Sequence, residues 1–197
     1  MNESTESVGL GSVAIITDYV ANGSFESLRN NVKATDVPDY AVLVRLVDHN
    51  SQWAGPFRYV DRESYDFLKK SSLQPGDVVV ANVGANAGTV FRVPDLGVPT
   101  TLGPNAVLCR PVESSVLDRD FLYYFLKSSI GQSRISAILG GSAQPKFNKT
   151  DFRRIGITLP PLPEQRAIAE VLGALDDKIE ANRRVIGLLE ELATTRP

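Results

Sequence analysis

The sequence predicts a mixed α/β domain of short strands and helices, followed by one long C-terminal coiled-coil α-helix. Two observations carry that expectation. Brief β-branched runs recur between Gly, Pro and Asn turn signals over residues 12–159, and a heptad of apolar residues runs through residues 160–197. Residues 1–11 are small and polar and read as a flexible N-terminus.

The strands are expected at residues 13–16, 40–47, 77–83, 89–92 and 106–110. Gln74-Pro75-Gly76-Asp77 forms a turn into the third of them. Residues 119–128 have the pattern of a helix, with Asp118 as its N-cap and an aromatic cluster that reads as core packing. Residues 139–149, with Gly140, Gly141 and Pro145, form a loop. A last strand follows at 155–159, then the prolines of 160–163.

Pro163 suits the first position of a helix, and Glu164 suits its electropositive first turn. The helix should run to about Ala193, some 30 residues and about 45 Å. Ile168, Leu172, Leu175, Ile179, Asn182, Ile186 and Leu189 are spaced alternately by four and three along it. Such a seam calls for a partner helix, and Asn182 would penalise misaligned pairing because its amide needs a specific partner. Gly173 and Gly187 each cost roughly 1 kcal/mol of helix propensity, explained either by close helix approach or by tolerance in a long arm.

Composition narrows the function. Hydrophobic residues make up 43% and charged residues 22% of 197 residues, which places the chain among ordinary globular proteins. No apolar run is long enough to cross a bilayer and no secretion signal opens the chain, so a cytoplasmic location is expected. Cys109, the single cysteine, reads as a buried strand residue. His49, the single histidine, reads as part of a solvated loop, and histidine-rich metal sites are excluded. No cofactor is expected, since neither an adenine-methyltransferase tetrapeptide nor a glycine-rich cofactor loop occurs. The acid pattern of a restriction nuclease is also missing, so no catalytic residue is assigned.

Net charge is −2, yet its distribution is uneven. Lys127, Arg134, Lys146, Lys149, Arg153 and Arg154 face a single acid, Asp151, within residues 127–154. A local basic surface is what phosphate contacts require. Lys146, Lys149, Arg153 and Arg154 are the phosphate candidates. Ser142, Gln144 and Asn148 are the base readers, because planar amides can pair two atoms of one base edge. A second set comprises Arg29, Asn30, Lys33, Gln52 and Arg58.

Leu159-Pro-Pro-Leu-Pro-Glu-Gln-Arg166, followed by Ile168 to Leu172 and Leu175 to Ile179, resembles the conserved spacer of type I restriction-modification specificity subunits. Leu73 to Val80, Val83 to Gly88, Phe121 to Leu126 and Gly140 to Gln144 also resemble that family, in the same order. The resemblance implies a target-recognition domain over 12–159 and a spacer and dimerisation helix over 160–197. It further implies double-stranded DNA, methyltransferase subunits and, through them, a restriction and motor subunit as partners, with no membrane involved. In this family two such halves read a split site. One half with one helix is then either a fragment or a half-subunit that pairs with a second copy on a palindromic split target. The competing expectations are a protein-interaction scaffold acting through its coiled coil, and the recognition domain of a fused methyltransferase-nuclease.

Overall fold

The computed structural model describes residues 7–141 and 143–194. The core consists of two sheets packed face to face, with helices covering both outer faces. The first sheet contains β2 (Ala14–Asp18), β7 (Val78–Ala81), β8 (Val90–Arg92) and β10 (Ala106–Pro111), in the order β2-β10-β7-β8 and antiparallel throughout. The second contains β3 (Ala34–Thr35), β4 (Ala41–Val44), β5 (Tyr59–Val60), β6 (Ser72–Leu73) and β9 (Thr100–Leu102), in the order β3-β5-β4-β9-β6. Only the β4–β9 pair of this second sheet is parallel.

Alternation along each strand explains why these strands read as continuous apolar runs. Val79, Phe91 and Leu108 of the first sheet meet Val42, Val44 and Leu102 of the second in a shared core. Val78, Val80, Val107 and Cys109 point the other way, into a core with α5 (Arg119–Lys127), α6 (Ser129–Ile138) and α7 (Lys149–Arg153). Ala41, Leu43 and Val60 face outward from the second sheet onto Leu28 of α2 (Phe25–Asn31) and onto Leu68, which follows α4 (Arg62–Phe67). Every central strand is therefore covered on both faces. Cys109 is fully buried, and burial pushes its thiol up to about 12, so it is a packing residue.

Asp118 caps α5 as the sequence suggests, its Oδ1 accepting from the amides of Asp120 and Phe121 at 3.0 Å. Three expectations need correction. Ordered structure starts well before residue 12: β1 (Ser7–Gly9) pairs with β11 (Gly156–Thr158), α1 (Leu10–Val13) follows, and Leu10 is fully buried. The strand expected over 40–47 stops at Val44, because the Asp48 carboxylate accepts the Arg45 amide at 2.7 Å and pairs with its guanidinium at 2.8 Å. That contact starts α3 (Leu46–Asn50). His49 then lies in α3, half-buried and stacked on Phe91 at 4.8 Å with planes 9° apart, and not in a solvated loop. Burial first, and then the charge of Lys127, holds its pKa below the usual histidine value.

The long helix α8 (Leu162–Thr194) begins one residue before Pro163. Its root is Gln165, 1% exposed, whose Oε1 accepts from the Asp118 amide at 2.9 Å. Its Nε2 donates to the carbonyls of Val116 and Pro160, at 3.0 and 2.9 Å. Higher up, Asp176 accepts from the Tyr124 hydroxyl at 3.1 Å and faces Lys127 at 3.7 Å. Contacts thus advance in the same direction along α5 and α8, so the two helices run side by side. Ile168 packs on the core, whereas Leu175, Ile179, Ile186 and Leu189 are 47–59% exposed. A Cβ at Gly173 would lie 3.7 Å from the Tyr124 hydroxyl and one at Gly187 would meet nothing, so neither glycine is required by close packing.

Candidate nucleic-acid interface

One edge of the first sheet gathers most of the loops of interest. Val107 pairs with Asp18 and Ala106 with Ala81, so β2 and β7 end where β10 begins. Segments 19–24, 82–89 and 103–105 therefore leave the sheet together. The 139–148 loop is laid across them by backbone bonds. Gly84 N–H donates to Pro145 O at 2.9 Å and Phe147 N–H to Asn82 O at 3.1 Å, while Gly140 and Lys146 exchange two bonds of 2.9 Å. Phe147 anchors the loop from below, buried and stacked on Phe152 at 5.1 Å. Gly141 has φ +88°, and a Cβ there would press within 2.9 Å of Gln144 O, so the tight turn requires glycine. Residues 69–71 join the same edge: Asn22 donates to Ser71 Oγ at 2.8 Å and accepts from the Lys70 amide at 3.0 Å.

The sequence-derived candidates fall into separate groups. Gln144 and Lys146 are exposed on the loop, and Lys146 makes no ion pair among the described residues. Ser142 lies outside the described residues. Asn148 is the N-cap of α7, accepting from the Asp151 amide at 2.9 Å and donating to its carboxylate at 2.7 Å. Lys149 turns inward to Asp18 at 2.7 Å. Arg153 donates to Ile16 O at 2.6 Å and packs against Gly9 and Gly11. Arg154 is exposed and pairs with Asp151 at 3.5 Å.

The second set is more scattered. Arg29 and Asn30 are exposed on α2, whose first residue, Phe25, lines a cleft at the loop edge. Lys33 sits between Asp61 and Glu63 at 3.8 and 3.9 Å. Arg58 donates to Ala34 O at 3.1 Å and faces Asp36 at 3.5 Å. Gln52, exposed at φ +53°, borders a different cleft with His49, Trp53, Glu180 and Arg183, between α3 and α8.

Sequence reasoning missed Phe25, Lys69 and Lys70. Phe25 is 77% exposed at the start of α2, directly after the Ser24 cap that accepts from Ser27 N–H at 3.1 Å. The capping serine was a usable signal for that helix. Lys70 reaches the edge through the bond of its amide to Asn22, with Lys69 beside it in sequence, a long-range contact that no local pattern announces. Together the edge segments carry the exposed bases Arg29, Lys69, Lys70 and Lys146 against one exposed acid, Glu26. Among the described residues, none of these four bases is in an ion pair, whereas Lys149, just beyond the loop, is held by Asp18.

Residues 20–191 match the model of the type I restriction modification DNA specificity domain. The MjaVIII specificity subunit of Methanocaldococcus jannaschii is 32% identical over 127 residues, covering 60% of this chain and 29% of that protein. The EcoKI specificity subunit of Escherichia coli is 27% identical over 150 residues, covering 74% and 31%. Among solved structures, a type I S subunit from M. genitalium superposes with a TM-score of 0.61 at 18% identity, covering 98% of this chain and 45% of that one. The HsdS subunit of Thermoanaerobacter tengcongensis gives 0.59 at 21% identity, covering 94% and 40%. The chain thus spans less than half the length of each of these relatives, and it shares the fold of the two solved structures over nearly its whole length. With most of its residues matched, the chain belongs to the type I restriction modification DNA specificity domain family.

Proposed function

We propose that this chain reads one part of a split DNA site without catalysing a reaction itself, and that it directs methyltransferase subunits, and through them a restriction and motor subunit, to that site in the cytoplasm. The observation that carries this reading is the loop edge. There, Arg29, Lys69, Lys70 and Lys146 stand without carboxylate partners among the described residues, on a chain whose net charge is −2. Unpaired cations on one face are suited to phosphates, and Gln144, held out on a backbone-pinned loop, is suited to a base edge. Lys149, Arg153 and Asn148 serve this edge by holding the loop in place.

The exposed seam of α8 supports pairing with a second copy or a second recognition half. Half-exposed Leu175, Ile179, Ile186 and Leu189 in heptad register leave an apolar stripe that a partner helix would cover. An antiparallel pair of identical chains would present two like edges and therefore read a palindromic split site.

Two measurements test this. Duplexes from a randomised library bound by the purified chain should enrich a defined motif; absence of any enriched sequence would overturn DNA recognition and favour the scaffold alternative. Light scattering should find a dimer that becomes a folded monomer when Leu175→Lys and Ile186→Lys are combined. A wild-type monomer would assign the seam to a different partner.

A further inference from the structure

We infer that Phe25 and the apolar cleft beside it form a specificity element for the 5-methyl group of a thymine in the major groove. This rests on the reading of the chain as DNA-recognising and names what one part of its edge reads. The cleft measures about 350 Å³ and is lined by Tyr19, Val20, Phe25, Val83 and Pro104, together with Asp18, whose carboxylate is paired with Lys149. Phe25 is 77% and Val20 41% exposed. On α2 the residue turned inward is Leu28, so Phe25 is left out of the core while its helix is otherwise anchored.

The cleft's surroundings indicate its occupant. Val83 is bridged to Lys146 on one side. On the other, Asn22, between Val20 and Phe25 in sequence, is bonded to Lys70 and Ser71. An apolar surface whose neighbouring segments carry Lys146 and Lys70, neither in an ion pair among the described residues, with Arg29 one turn along α2 from Phe25, complements a duplex whose phosphates border a groove. In the major groove the thymine methyl is the apolar feature of the base edges, and apolar side chains, phenylalanine included, contact it. A duplex carries phosphates along both borders of its groove, so it can meet both groups of cations while its base edges face the cleft.

The test uses the full chain and the duplex it enriches from a randomised library. Each thymine of that duplex is replaced in turn by deoxyuridine, which removes only the methyl. At one position the replacement should weaken wild-type binding by about fourfold, the value of one buried methyl. Phe25→Ala should bind both versions equally at that position, and Phe25→Leu, which keeps an apolar contact, should retain the difference. Phe25 is exposed, so these variants are expected to fold as the wild type does. Equal methyl sensitivity in wild type and Phe25→Ala, or none in either, would overturn the inference while leaving DNA recognition intact. Uniform weakening of enriched and scrambled duplexes by Phe25→Ala would make Phe25 a general contact and overturn it too. If no sequence is enriched at all, the functional reading fails and the inference with it.

Discussion

Two adjoining stretches of the chain, residues 139–148 and residues 149–154, carry the same kind of side chains and use them in opposite ways. In the first, backbone bonds to Asn82 and Gly84 hold the loop, so Gln144 and Lys146 are left facing solvent. In the second, α7 lies against β2, where Lys149 and Arg153 become internal fastenings to Asp18 and the Ile16 carbonyl. The difference teaches that a basic run states how much charge is available and nothing about where it points. What decides is whether a carboxylate or carbonyl from a distant segment is within reach. Asp18, 131 residues away in sequence from Lys149, is such a group.

That contrast can be broken by mutation. Lys149→Met keeps the aliphatic stem and removes the ammonium from the Asp18 carboxylate, which retains the Ala21 amide at 2.9 Å and is 11% exposed beside a lysine 24% exposed. Because the pair is only partly buried, the loss should fall below the range for deeply buried pairs, at about 2 kcal/mol in urea unfolding. A loss under about 0.5 kcal/mol, ordinary for surface positions, would remove Lys149 from the internal group. Gln144→Ala should leave stability unchanged but weaken the enriched duplex by about tenfold, within the range for one base reader, with scrambled duplex unaffected. Equal weakening of both would make Gln144 a general contact. Arg154→Ala removes an exposed i, i+3 pair and should change stability by no more than about 0.5 kcal/mol.

Much of the architecture was readable from residues alone, for a physical reason. Val78 to Ala81, Ala41 to Val44 and Ala106 to Cys109 are buried on both faces, so their apolar character is unbroken and identifies them as strands. Asp118 and the α8 heptad were equally plain, because a cap and a sustained repeat are local signals. The short helices α2, α3 and α4, of seven, five and six residues, are too brief to show a helical period. The strand at Ser7–Gly9 takes its partner from Gly156–Thr158 at the far end of the domain, a pairing no local window contains. The candidate interface was readable only where its own loop is distinctive. Gly140, Gly141 and Lys146 marked the 139–149 loop, whereas Phe25, Lys69 and Lys70 belong to the edge through tertiary contacts. His49 looked solvated because its neighbours Asp48 and Asn50 are polar, yet Asp48 is consumed by Arg45, leaving the imidazole to stack on Phe91.

The central claim, that the loop edge is the DNA-facing surface, is tested most directly by the salt dependence of duplex binding. Affinity for one duplex would be measured across a range of salt for wild type, Lys70→Ala, Lys146→Ala and Arg154→Ala. Removing a cation that neutralises one phosphate lowers the slope of log affinity against log salt by about 0.9. The account predicts that reduction for Lys70→Ala and for Lys146→Ala, with Arg154→Ala keeping the wild-type slope. Wild-type slopes for both edge variants, or a reduction confined to Arg154→Ala, would contradict it and move the DNA to another face.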